Sequence, residues 1–153
     1  MMKRILVGSV ATVLGIVGGM IFMMLLHMAS TVVYPLPEGV DFMSPDPENQ
    51  AKFKEWLATL PAGAFLLAAA SHAGGCLIGV VVAMLVSGRT MVVPAVLVGL
   101  FFTVSGIANL FSIPHPMWFP FVDLPGYIIA AGFAVVMLRK TKSLSSEQTG
   151  TSA

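Results

Sequence analysis

The chain has 153 residues, of which 57% are hydrophobic and only 10% charged; its mean hydropathy is +0.92 and its formal net charge +1. A soluble domain carries about 25% charged residues, so this composition excludes a solvated enzyme, a nucleic-acid-binding surface and a disordered chain. A single cysteine leaves no internal disulfide to form.

Four apolar stretches approach the ~20 residues needed to cross hydrocarbon. They are Ile5–Ala29, Ala62–Val86, Met91–Ile113 and Phe121–Leu138. None contains Lys, Arg or Glu, and Asp123 sits only at the mouth of the fourth. The pattern predicts an all-α polytopic membrane protein, a bundle of four transmembrane helices forming one domain over residues 1–138. Lys3 and Arg4 before an apolar run resemble a secretory signal. A signal core is about 7–15 residues long and ends at a small-x-small site. Here the run continues to Met28, so the first stretch is read as a retained span.

Orientation follows the basic residues in the short connections. Lys3, Arg4, Arg89, Arg139, Lys140 and Lys142 fall on one side, and Lys52 and Lys54 on the other. Both termini are therefore expected in the cytoplasm, with the loops 34–60 and 114–120 facing outward. With the acids included, the inner side carries +5 and the outer side −4. Tyr34, Trp56 and Trp118 lie near the expected outer boundary, where amphipathic rings settle among headgroups. Nine of the ten prolines are on that side too, which places the elaborated, individual part of the chain there. The basic stretch from Arg139 and the Ser- and Thr-rich residues after it read as a disordered cytoplasmic tail over 139–153.

The outer loop has order of its own. Asp46 is placed to cap a helix, with Pro47 in its first turn and Glu48 near its positive end. Phe53, Trp56, Leu57 and Leu60 follow at i, i+3, i+4 and i+7. This is a short amphipathic helix, marginal alone in water, that lies on the bilayer or caps the bundle. Thr59 before Pro61 reads as the cap of the second span.

Within the spans, small residues recur on single faces: Gly8, Thr12, Gly15 and Gly19; Ala68, Gly75, Gly79 and Ala83; Gly126, Ala130 and Ala134. Such faces let helix backbones approach where lipid supplies no hydrophobic force. The expected contacts are within the chain, and homodimerisation is the alternative use. The two hairpins show no sequence repeat, so an inverted-repeat transporter core is not indicated.

Few residues could carry chemistry. His72 lies near mid-span, where an ionisable group marks a functional site by default; the bland reading is a neutral ring bonded to Ser105 or Asn109. Ser105, Asn109 and Ser112 form a polar stripe suited to interhelical hydrogen bonding, worth about 0.6 kcal/mol each. Met20, Met23, Met24 and His27 share a face of soft ligands, but methionine is also ordinary packing, and no metal site is assigned. His115 and Asp123 flank Trp118 as an acid–base pair without a nucleophile motif; Asp123 reads first as the cap of span four.

Three stretches resemble a group of small bacterial four-helix inner-membrane proteins with no assigned function. They are Val33-Tyr-Pro-Leu-Pro-Glu-Gly-Val-Asp, Ala58-Thr-Leu-Pro-Ala-Gly-Ala-Phe and Gly106-Ile-Ala-Asn-Leu-Phe-Ser-Ile-Pro-His-Pro-Met-Trp-Phe. The resemblance implies a bacterial, multi-pass setting and transfers no site residue. The sequence thus points to a non-enzymatic accessory or interaction protein without cofactor. Its partners are the lipid bilayer and a second membrane protein or a second copy of itself, and not nucleic acid. A small oligomeric transporter or channel with a His72/Asn109 path is the alternative, and an outward-facing enzyme or metal handler the third reading.

Overall fold

The computed structural model describes residues 1–41, 44–89 and 91–150, with side chains described as far as Thr141. It contains five helices and, among the described residues, no strand. They are α1 (Met2–Val33), α2 (Pro47–Thr59), α3 (Ala62–Ser87), α4 (Val92–Ser112) and α5 (Pro120–Gly150). Four of them are long and apolar enough to cross a membrane: α1, α3, α4 and the segment Pro120–Thr141 of α5.

The helices overrun the apolar stretches because a charge does not end a helix. α1 takes in Lys3 and Arg4, and at its other end Ser30 and Thr31 donate to the carbonyls of His27 and Met28 at 2.7 Å each. α5 continues as helix to Gly150, where a disordered tail was expected from Arg139. Nothing between Arg139 and Gln148 breaks a helix, since neither Gly nor Pro occurs there. Residues 151–153 of that tail lie outside the described residues. α3 stops at Gly88, whose φ of 80° is open to glycine but costly for other residues.

The largest contact in the bundle is between α1 and α3. It is antiparallel and made by glycine, so these two small-residue faces are used within the chain, as expected. A Cβ at Gly15 would stand 2.6 Å from the carbonyl oxygen of Gly79, and one at Gly75 2.9 Å from that of Gly19. α4 closes the seam with Phe102, whose ring fills the notch beside Gly19 and Gly79. Val80, Ala83, Met84, Val98 and Phe102 form a closed core there, none more than 2% exposed. α5 lies on α3 with parallel register. Both His72–Asp123 and Cys76–Tyr127 contacts join residues 51 apart in sequence.

α2 packs against none of the other helices among the described residues. Its start matches expectation, with Asp46 accepting from the Asn49 amide at 3.0 Å and Pro47 in the first turn. The Asn49 side chain also pairs with both backbone groups of Asp41, which ties α2 to the preceding loop. Thr59 does not cap α3. It ends α2, its hydroxyl donating to the Trp56 carbonyl at 2.7 Å, and Pro61 stands at the cap of α3.

Candidate functional site

The C-terminal end of α1 and the N-terminal ends of α3 and α5 meet at one end of the bundle, beside α2 and the loop 113–119. Here the packing rule changes from glycine to rings. His72 of α3 is 6% exposed and Asp123 of α5 1%; His72 Nδ1 lies 2.8 Å from Asp123 Oδ1. The other oxygen, Oδ2, is buried and has no hydrogen-bond partner among the described residues.

The rings stack around this pair. His27 of α1 lies on one face of His72, centroids 5.4 Å apart, and Tyr127 on the other at 5.9 Å. His27 comes from higher on α1 than its partner because helical side chains lean toward their own N-terminus. Its Nδ1 donates to the Met23 carbonyl at 2.9 Å. A carbonyl only accepts, so Nδ1 carries the hydrogen and Nε2 keeps its lone pair. Ser71 Oγ stands 3.2 Å from the same Nδ1 while donating to the Ala68 carbonyl. Of the trio His27, His72 and Asp123, only His27 is exposed.

The loop between α4 and α5 roofs the cluster. Phe119, fully buried, turns back into the bundle against Phe65 and Ala69. His115 stacks on Phe119 at 4.5 Å, and Trp118 packs edge-on to Phe65 and Phe119. This inward turn carries the first turn of α5 down to the level of His72. Asp123 therefore does not act as the cap at a helix mouth. It sits inside the first turn, its amide bonded to the Phe119 carbonyl, with its carboxylate turned to His72.

The remaining candidates are placed differently from expectation. His72 has neither Ser105 nor Asn109 as partner. α4 buries Ala95, Val98, Phe102 and Gly106, which turns Ser105 and Ser112 to the exposed side and leaves Asn109 half-buried. Ser112 bonds back to the carbonyl of Ala108, and the stripe makes no interhelical hydrogen bond among the described residues. His115 does not pair with Asp123; its Nδ1 donates to the Ile113 carbonyl at 2.7 Å. Burial holds the His115 imidazole below its ordinary 6.5, outweighing that hydrogen bond and the field of Asp123. Met20 and Met24 are exposed and only Met23 turns inward, so the methionines do not converge with His27. Among the described residues no group of three or more His, Cys, Asp or Glu could hold a metal ion. Tyr34 and Trp56 are half-buried and Trp118 is 36% exposed, all at this same end.

Ser71, Phe65, Phe119 and Tyr127 were not singled out in the sequence. Tyr127 had a signal, being one helical turn from Asp123 on the same face. No protein-family model matches the chain, and no curated protein or solved structure matches it significantly.

Proposed function

We propose that this chain is a multi-pass bacterial inner-membrane protein, termini inside, of non-enzymatic accessory type, working through the end that carries α2 and the loop 113–119. One observation carries the reading: polar side chains and buried rings are concentrated at that end. The opposite half is closed by Val80, Met84, Val98 and Phe102. After Cys76, α3 has no ionisable group before Arg89, and the eleven residues to its end at Ser87 span about 16 Å of helix. α2 joins α3 through Leu60 and Pro61 alone, which favours a position at the bilayer surface with Phe53, Trp56 and Leu57 toward lipid or a partner. The test is crosslinking from the 34–60 loop in native membranes, followed by purification. A specific second membrane protein or a second copy is expected. A solitary monomer with no crosslinked species would sink the idea.

A second reading, a small transporter, is favoured by the His72–Asp123 pair. Ionisable residues within membrane spans are rare and mark ion or proton pathways. It predicts a proteoliposome flux that His72→Ala abolishes. Its path would run through His27 rather than Asn109, because His27 is the residue stacked on His72.

A further inference from the structure

We infer that His27, His72 and Asp123 form a proton-binding site reached from the α2-bearing end alone, which couples the pH on that side to the loop 113–119. This rests on the reading that the α2 end is the working end. Three observations combine. The buried carboxylate has one oxygen on His72 and the other without a partner among the described residues, an arrangement that makes its charge state consequential in a dry site. Cover by the protein falls off from Asp123 through His72 to His27, which stands six residues before the end of α1 at Val33 on the α2 side. Beyond the pair, toward Arg89, the core is closed and without a further acid or base past Cys76 and Tyr127. A proton that enters has no exit on the far side, so the site binds and releases without conducting.

The groups facing His72 are few. α1 supplies His27, α5 supplies Asp123 and Tyr127, and α3 itself supplies Ser71 and Cys76. The roof adds His115 beyond Phe119, and α4 contributes no titratable group at all. With Asp123 ionised and His72 neutral, the cluster carries −1. Uptake of one proton from water breaks an O–H bond of hydronium, forms an N–H bond on imidazole and brings the cluster to zero. A second proton on His27 would set two imidazolium rings 5.4 Å apart, so a charge on one ring opposes a charge on the other. The change reaches the surface through rings: His72 to Phe119 at 6.5 Å, then Phe119 to Trp118 at 6.0 Å.

The test uses the full chain with Trp56→Phe, leaving Trp118 as its sole tryptophan. It is reconstituted in vesicles selected, through a tag in the 34–60 loop, for α2 facing outward. The bath or the lumen is acidified separately from about pH 8 to about pH 5, the range in which histidine changes charge. Measured with His115→Gln added, which removes the roof's own response, the expected result is a reversible change in Trp118 emission with bath pH and none with lumen pH, lost when Asp123→Asn or His72→Gln is added. Where those two variants fail to fold, exposed His27→Gln serves instead, with the response slowed at least about tenfold. A response equal from both sides, one that survives in all the cluster variants, or none at all overturns the inference. Because the purified chain is read directly, failure here is distinct from failure to find a partner.

Discussion

Along the α1–α3 contact, two regions a few turns apart are held by different means. At the seam, Gly15 and Gly19 of α1 lie against Gly79 and Gly75 of α3 so closely that a Cβ has no room. At the α2-bearing end the same two helices are joined by a stacked pair of histidines, with Asp123 reaching in from α5. Lipid tails are as apolar as leucine, so helices gain nothing by hiding apolar surface from them. Contact must come from close backbone approach or from polar groups that lipid cannot satisfy. The chain uses one device in each region. The first is static and specific in shape; the second is specific in charge, and therefore responsive to protons.

The comparison is broken most severely by removing the acid. Asp123→Ala leaves the His72 ring without its partner in a buried site, and an unsatisfied buried polar group costs about 1–3 kcal/mol, to which the packing lost with the side chain adds. Denaturant unfolding in detergent micelles should show that loss. The variant with both His72→Leu and Asp123→Leu should lose less than Asp123→Ala, because removing both partners strands neither. If the double replacement were the worse of the two, the pair would be packing rather than a polar joint.

The seam should break by steric means and without any dependence on pH. Gly15→Ala places a methyl 2.6 Å from the Gly79 carbonyl oxygen and 2.9 Å from the Ala83 Cβ. Overpacking of this kind costs about 1–3 kcal/mol. Gly132→Ala is the matched control, since nothing lies within 4 Å of its added Cβ. It should be neutral or stabilising by up to about 1 kcal/mol through helix propensity. Equal effects at the two positions, read in the same unfolding assay, would show that the α1–α3 glycines are not a close-packed seam.

The two regions also differ in how far the sequence revealed them. Gly15 and Gly19, like Gly75 and Gly79, are spaced at four residues, a local period visible without any structure, and their contact falls within the chain, though the period alone did not say which two faces meet. Asp46 and Pro47 announced the start of α2 in the same local way. The polar joint depends on two things that no local period encodes. One is the parallel register of α5 on α3, which sets Asp123 beside His72 across 51 residues. The other is the inward turn of the loop 113–119, driven by burial of Phe119, which carries Asp123 from an expected mouth position down into the bundle. Read alone, Asp123 before Pro125 looks like a cap, and His72 has no acid within reach. Ser105 and Asn109 were the polar groups on offer to His72, but their positions along the chain say nothing about which face α4 turns inward.

The smallest expected effect sharpens the boundary between the proton-sensitive region and the rest. His115 lies on the fully buried Phe119, and burial holds its imidazole below the ordinary 6.5. Above that pH the ring is neutral whether the loop is closed or open. As pH falls through 6.5, the opened loop takes a proton that the closed loop resists, so closure weakens progressively until the closed form is also protonated. Hydrogen exchange of the amides in the loop 113–119 should therefore accelerate in the wild-type chain below about pH 6.5 once the intrinsic pH dependence of exchange is removed. His115→Gln should flatten that dependence while leaving the amides beside Gly15 and Gly79 unchanged. A profile identical to wild type would mean that the loop stays closed regardless of His115. All proton sensitivity of this end would then have to originate beneath the roof, at His27, His72 and Asp123.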